Sequence, residues 1–150
     1  MSRRDAVIDQ VGGIMAREGL VFSSNEKEDA YQLLFDSAAV YVNFAGSPDT
    51  PIVKLSSPLV MDVPLDGQRD QILARLNEIN MKYRYLKLYL GDDIIIAHYA
   101  IPGTNLDGED FSRAMRMMVS LCEMLDDSLM VEFGGQRSVD VIGWGEEDDE

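Results

Sequence analysis

The stretch LNEINMKYRYLKLYLGDDIIIAHYA, residues 76 to 100, passes from a helical pattern into an alternating one with almost no loop between them. Alternation on both sides of Gly91 and Asp92 predicts a hairpin with those two residues as its turn. That register sets Leu90 against Asp93, Leu88 against Ile95, Leu86 against Ala97 and Tyr85 against His98. Successive side chains alternate sides, so one face is leucine and alanine. The other gathers Tyr83, Tyr85, Lys87 and Tyr89 beside Ile94, Ile96, His98 and Ala100. A three-residue turn through Asp93 would shift the register by one and mix the two faces. Rings and aliphatic chains at that density call for a cover, and a partner molecule is the cover this pattern predicts.

Working upstream, the helical half carries Ile72, Leu73, Leu76 and Ile79 on one stripe, with Asp66 as its expected N-cap and Asn80 as its left-handed end. Asn77 lies on the flank of that stripe, placed to bond a neighbouring backbone. Three extended runs precede it, at residues 31 to 35, 39 to 45 and 51 to 55, with turns at Asp36-Ser37 and at Gly46 to Thr50. Pro58 interrupts the third run before residues 59 to 63, which predicts an edge strand because a missing amide donor does little harm there. Ser23 to Asp29 reads as a polar connection, and Val7, Val11, Ile14 and Met15 predict a first helix from about Arg4 to Glu18, stopped by Gly19. Gly12 and Gly13 inside it predict a close approach by a neighbouring backbone or a local bend.

Downstream, Asp107 reads as the N-cap of a last helix, with Glu109 and Asp110 near its positive end. Phe111, Ala114, Met115, Met118, Leu121, Cys122 and Leu125 form its core stripe, flanked by Met117 and Met124. Residues 128 to 133 fit helix and strand equally, and the acidic run from Gly145 is a solvated tail. The chain therefore reads as one α+β domain over residues 1–144 with a tail at 145–150, in the order α-β-β-β-α-β-β-α. Five strands and three helices are expected.

With 46% hydrophobic residues a chain of 150 builds a core without metal or disulfide staples. One cysteine, no unbroken apolar leader and no apolar run near the roughly 20 residues of a membrane helix predict a soluble, cytoplasmic protein. A net charge of -14 repels phosphates and anionic lipids, so neither nucleic acid nor a membrane is the expected partner. The same charge suits solubility or basic clients.

Chemistry is sparse. A single histidine, His98, excludes a multi-histidine metal site, and Cys122 on an apolar stripe behaves as a small buried hydrophobe. Asn105 to Asp110 lacks the alternating oxygen ligands and distal glutamate of a calcium loop, and no glycine-rich phosphate cradle follows a strand. No catalytic residue, metal or cofactor is predicted. What remains is apolar surface beyond the needs of one core: Tyr83, Tyr85, Tyr89, Ile94 and Ile96, the methionines Met117 and Met124, and nine methionines overall. Flexible thioethers suit adaptable binding.

Element order and acidic charge resemble the type III secretion chaperone-like fold. LNEIN followed by YRYLKLYLGDDIIIAHYAIP and the acid-capped helix from Asp107 is similar to the bacterial family of sensory transduction regulators, over residues 4 to 130. The resemblance implies a curved antiparallel sheet with helices on one side, a homodimer, and a non-enzymatic, nucleotide-independent chaperone that holds an extended client segment. A regulatory adaptor binding one folded partner is the alternative. A client strand is expected on the edge near Ile52 to Val63, with Tyr83, Tyr85, Tyr89, Ile94 and Ile96 as its platform or as the dimer contact.

Overall fold

The computed structural model describes residues 2–25, 29–36 and 38–141. Helix α1 (Arg3–Arg17) starts at Ser2, whose hydroxyl accepts from the Asp5 amide, and stops before Gly19 in the left-handed region. There follow β1 (Phe22–Asn25), β2 (Ala30–Leu34), β3 (Ala39–Gly46), β4 (Pro51–Met61), α2 (Arg69–Lys82), β5 (Lys87–Gly91) and β6 (Ile94–Pro102). Helix α3 (Gly108–Phe133), β7 (Gln136–Arg137) and the single turn α4 (Ser138–Val141) complete the described chain. The α+β class and the curved antiparallel sheet are as expected, but among the described residues seven strands and four helices replace five and three. The additions are β1, drawn from the polar connection, and β7 with α4 after a helix that absorbs all of residues 128 to 133. Ser37 of the expected Asp36-Ser37 turn and the 145–150 tail lie outside the described residues.

The sheet runs β1-β2-β3-β4-β6-β5, with β7 joining β4. Its inward side chains, among them Leu33, Val40, Val42, Val53, Leu55, Leu88, Ile95 and Ala97, meet Val11 and Met15 of α1, Ile72 and Leu76 of α2, and Phe111 and Met118 of α3 in one core. Each of these side chains larger than alanine contributes about 1.5–3 kcal/mol on leaving water. Asp107 caps α3 as expected, accepting from the Glu109 amide at 2.9 Å. Asp66 does not cap α2; Gln68 holds that position without a side-chain bond to the helix, and instead donates to the carbonyls of Pro64 and Phe133.

Gly12 is explained by tight approach. The Tyr31 hydroxyl donates to the Ile8 carbonyl at 2.9 Å, and a Cβ on Gly12 would stand 2.8 Å from that hydroxyl. The neighbour is thus a tyrosine ring of the sheet, laid across the helix.

Two sequence expectations are overturned by the sheet. The hairpin turn is Asp92-Asp93, not Gly91-Asp92: Leu90 pairs with Ile95, Leu88 with Ala97 and Lys87 with His98. Asp92 supplies the left-handed residue at φ 54. The shift is two residues, so every β5 side chain keeps its face, but Tyr83 and Tyr85 precede the strand and do not share a face with Tyr89. Strand β4 is not an edge. It lies between β3 and β6, and β7 continues the pairing at Val60 and Met61. Pro58 is tolerated there because the β4–β6 register shifts between Pro58 and Val60, a bulge that excuses a missing donor, and because the Ser138 hydroxyl takes the Pro58 carbonyl.

Under β7, Asp126 is 3% exposed on α3, its carboxylate accepting from the Asp127 amide at 2.6 Å. Burial pushes its pKa up, against the pull of that amide and of Arg137. A raised folded-state pKa stabilises below the unfolded value, and that contribution is lost as pH rises through the folded value. Asp126→Asn, which keeps an oxygen for the Asp127 amide, is therefore expected to melt higher than the parent at neutral pH. Thermal melts should show the gap closing as pH falls toward about 4.

Candidate functional site

The main path of the sheet ends at β1 and β5, with the two-residue β7 on the side of β4, and an open strand edge is where backbone groups can be paired by another chain. The β5 edge is closed by a side chain. Asn80, in the last turns of α2, donates from Nδ2 to the Leu88 carbonyl at 2.9 Å and accepts at Oδ1 from the Leu88 amide at 2.7 Å. One amide group thereby satisfies both backbone groups of Leu88, as a neighbouring strand would. Lys87 Nζ ties the same junction to the carbonyls of Asn80 and Tyr83, at 3.1 and 2.9 Å. The expectation that Asn80 ends the helix in a left-handed conformation fails because its side chain is committed eight residues further on. Exposed Asn77 donates from Nδ2 to Met81 Sδ at 3.9 Å on its own helix, where a neighbouring backbone was expected.

At the opposite end β1 pairs with β2, and among the described residues its far side meets no strand. Beside it opens a cavity of about 270 Å³ between α1, α3 and the end of β2. Ile14, Leu20, Phe35, Phe111, Met115 and Val119 make it apolar, and Glu18, Arg116 and Glu123 are also in its lining. Phe22 of β1 pairs with Leu33, so Leu20 and Phe35 flank the same end of the edge strand and the cavity continues the line of β1. Ser112 also lines it; its hydroxyl is buried and without a hydrogen-bond partner, alone in this among the described residues. An apolar volume of this size fits one or two side chains of an extended chain. No sequence signal marked it, since its walls come from elements some ninety residues apart.

The structure separates the residues singled out in the sequence. Tyr89, Ile94 and Ile96 do share the sheet face turned away from the helices, with Tyr89 46% exposed and edge-on to His98 at 6.4 Å. Tyr85, 61% exposed, stands 6.1 Å from Tyr99, while Tyr83 is half-buried against the core. On α3, Met117 packs against the core and Met124 is 60% exposed. Desolvation, then the Lys54 charge, lowers the His98 pKa, so the ring is neutral at pH 7. Burial pushes the Cys122 thiol up to about 12 against a hydrogen bond from Ser57, which keeps it protonated and unreactive. Among the described residues, no group of three or more metal-ligating side chains forms, and no helix is long and apolar enough to cross a membrane.

The helix-backed antiparallel sheet is the fold seen in a solved type III secretion chaperone. The chain belongs to the TY-Chap1 family, the T3SS (YopN, CesT) and YbjN peptide-binding chaperones, whose sequence model matches residues 5–141. Among solved structures it is similar to the ExsC-ExsE complex, at TM-score 0.66 and 20% identity over 85% of this chain and 96% of that one. YbjN from E. coli superposes at TM-score 0.62 and 13% identity, covering 82% and 92% of the two chains. The Yersinia pestis type III secretion chaperone SycH, in complex with a stable fragment of YscM2, does so at 0.55 and 12%, covering 80% and 97%. No match is found among curated protein sequences.

Proposed function

We propose that this protein is a non-enzymatic, nucleotide-independent chaperone that works as a homodimer and holds an extended segment of a client protein. The observation that carries the reading is the asymmetry of the sheet: the β5 edge is occupied by Asn80, while β1 is open beside an apolar cavity. A client strand hydrogen-bonds along β1, and an apolar side chain beyond its end enters the cavity. Main-chain bonds supply affinity and the cavity supplies selectivity. Glu18 and Glu123 in the lining and a net charge of -14 favour a client with basic residues around that anchor. The site replaces the β4 edge expected from the sequence, because β3, β6 and β7 already take both sides of β4.

The test is binding of unstructured fluorescent peptides in which aliphatic and basic residues alternate, read by anisotropy. Ser120 is exposed in the cavity lining, so Ser120→Trp lays a ring across the opening without disturbing the core. It is expected to weaken binding about tenfold, roughly 1.4 kcal/mol. Unchanged affinity in that variant sinks the cavity assignment, and a monomeric mass by sedimentation sinks the homodimer. A second reading, a regulatory adaptor seated on one folded partner, is favoured by the outer face that carries Tyr89, Ile94 and Ile96.

A further inference from the structure

The outer face of the sheet has a charge opposite to that of the molecule. Of 27 acids in the chain, none falls in β1 to β6, whose only charged side chains are Lys54 and Lys87. Register puts both at outward positions with His98: Ser56 pairs with His98, His98 pairs with Lys87, and Lys54 lies two residues along β4 from Ser56. The Lys87 ammonium sits at the rim of the face, on the Asn80 and Tyr83 carbonyls. Around this row stand Ile52, Pro58, Tyr89, Ile94 and Ile96. Carboxylates are poor strand formers, but lysine is disfavoured in strands too, so propensity does not account for bases surviving where acids do not. Every ion pair among the described residues uses an arginine, and none reaches Lys54.

We infer that this face is a second interaction surface, separate from the β1 edge, and that it takes an acidic, aliphatic-bearing segment of a partner protein. The lysines select for carboxylates in the occupant, and a second copy of the chain is the competing occupant that the experiment below separates. Nucleic acid and anionic lipid are turned away by the surrounding field, which acts over about 10 Å, whereas a short acidic segment of protein meets the lysines at contact. Two strand spacings, about 10 Å, separate β4 from β5, a width that one helix or one extended chain covers.

The experiment maps amide and methyl shifts by NMR on adding a soluble peptide of alternating leucine and glutamate, with a lysine-for-glutamate peptide and a duplex DNA as comparators. The acidic peptide is expected to move signals of Lys54, Tyr89, Ile96 and His98 while those of Phe22 and Leu20 stay in place; the comparators move none of the first set. Lys54→Glu combined with Lys87→Glu is expected to weaken that peptide about tenfold, from two reversed surface pairs, and leave binding of basic peptides at β1 unchanged. Binding of the lysine peptide or DNA on this face, or an affinity indifferent to the double reversal, overturns the inference. So does a dimer that dissociates in the double variant, which would assign the face to a second copy. Lys54 alone reversed provides the check if Lys87, which also braces the α2–β5 junction, compromises folding.

Discussion

Asn80→Leu is expected to lose about 3 kcal/mol of stability and to gain self-association. Both hydrogen bonds from the Asn80 amide to Leu88 vanish, and the Leu88 amide and carbonyl are left facing a hydrocarbon. A lost bond contributes about 1 kcal/mol, and a half-buried polar group stranded without water costs about 1–3 kcal/mol more. The freed edge of β5 then offers the backbone groups that other chains can pair with. Urea melts measure the first effect, and light scattering against concentration measures the second. Asn80→Asp separates the contributions: it keeps an acceptor for the Leu88 amide but sets a carboxylate against the Leu88 carbonyl. Unaltered melting and scattering in Asn80→Leu would remove the argument that β5 is closed by design.

The second large effect is expected at Gly135. Its φ is +96, and a Cβ there would stand 2.6 Å from the Met61 carbonyl oxygen and 2.9 Å from Val60 Cγ1. Backbone cannot yield as a side-chain tip can, so Gly135→Ala combines left-handed strain with a clash, together about 3 kcal/mol. The damage is directed. Relief comes by lifting β7 from β4, which breaks the pairs at Val60 and Met61 and draws Ser138 from the Pro58 carbonyl. Gly19→Ala is the control: at φ +74 with no atom near its Cβ, it loses only the conformational part, about 1–2 kcal/mol. Calorimetry and hydrogen exchange at the Val60 and Met61 amides test the pair; equal losses in both variants would mean that the close approach to Met61 contributes nothing.

Much of this fold was legible because periodic signals survive small errors. The hairpin faces came through a wrong turn, since slipping by an even number of residues preserves the side each chain points to. The α3 stripe was read correctly through Leu125, and the helix simply continued to Phe133. What escaped was set by distant partners. Pro58 signals an edge locally, yet a bulge and the Ser138 hydroxyl accommodate it in mid-sheet. Phe22–Asn25 holds one ring and three small polar residues, too little alternation to reveal a strand. Tyr85 seemed to lie with Tyr89 because the starting residue of β5 is fixed by Asn80 and Lys87, not by the alternating pattern. The cavity draws on α1, β2 and α3 together, and no window along the chain contains it.

The ordering of the sheet also sets where it breathes. Strand β4 is anchored on both sides and backed by α3, so its amides are expected to open only with the whole domain, while among the described residues the strand that pairs with β1 is β2. Protection against exchange should therefore fall stepwise from β4 through β3 and β2 to β1. On the function proposed above, a guest strand laid on β1 would quench that motion at some cost in affinity and would leave when the margin frays, so the weakest hinge of the sheet would itself set the release.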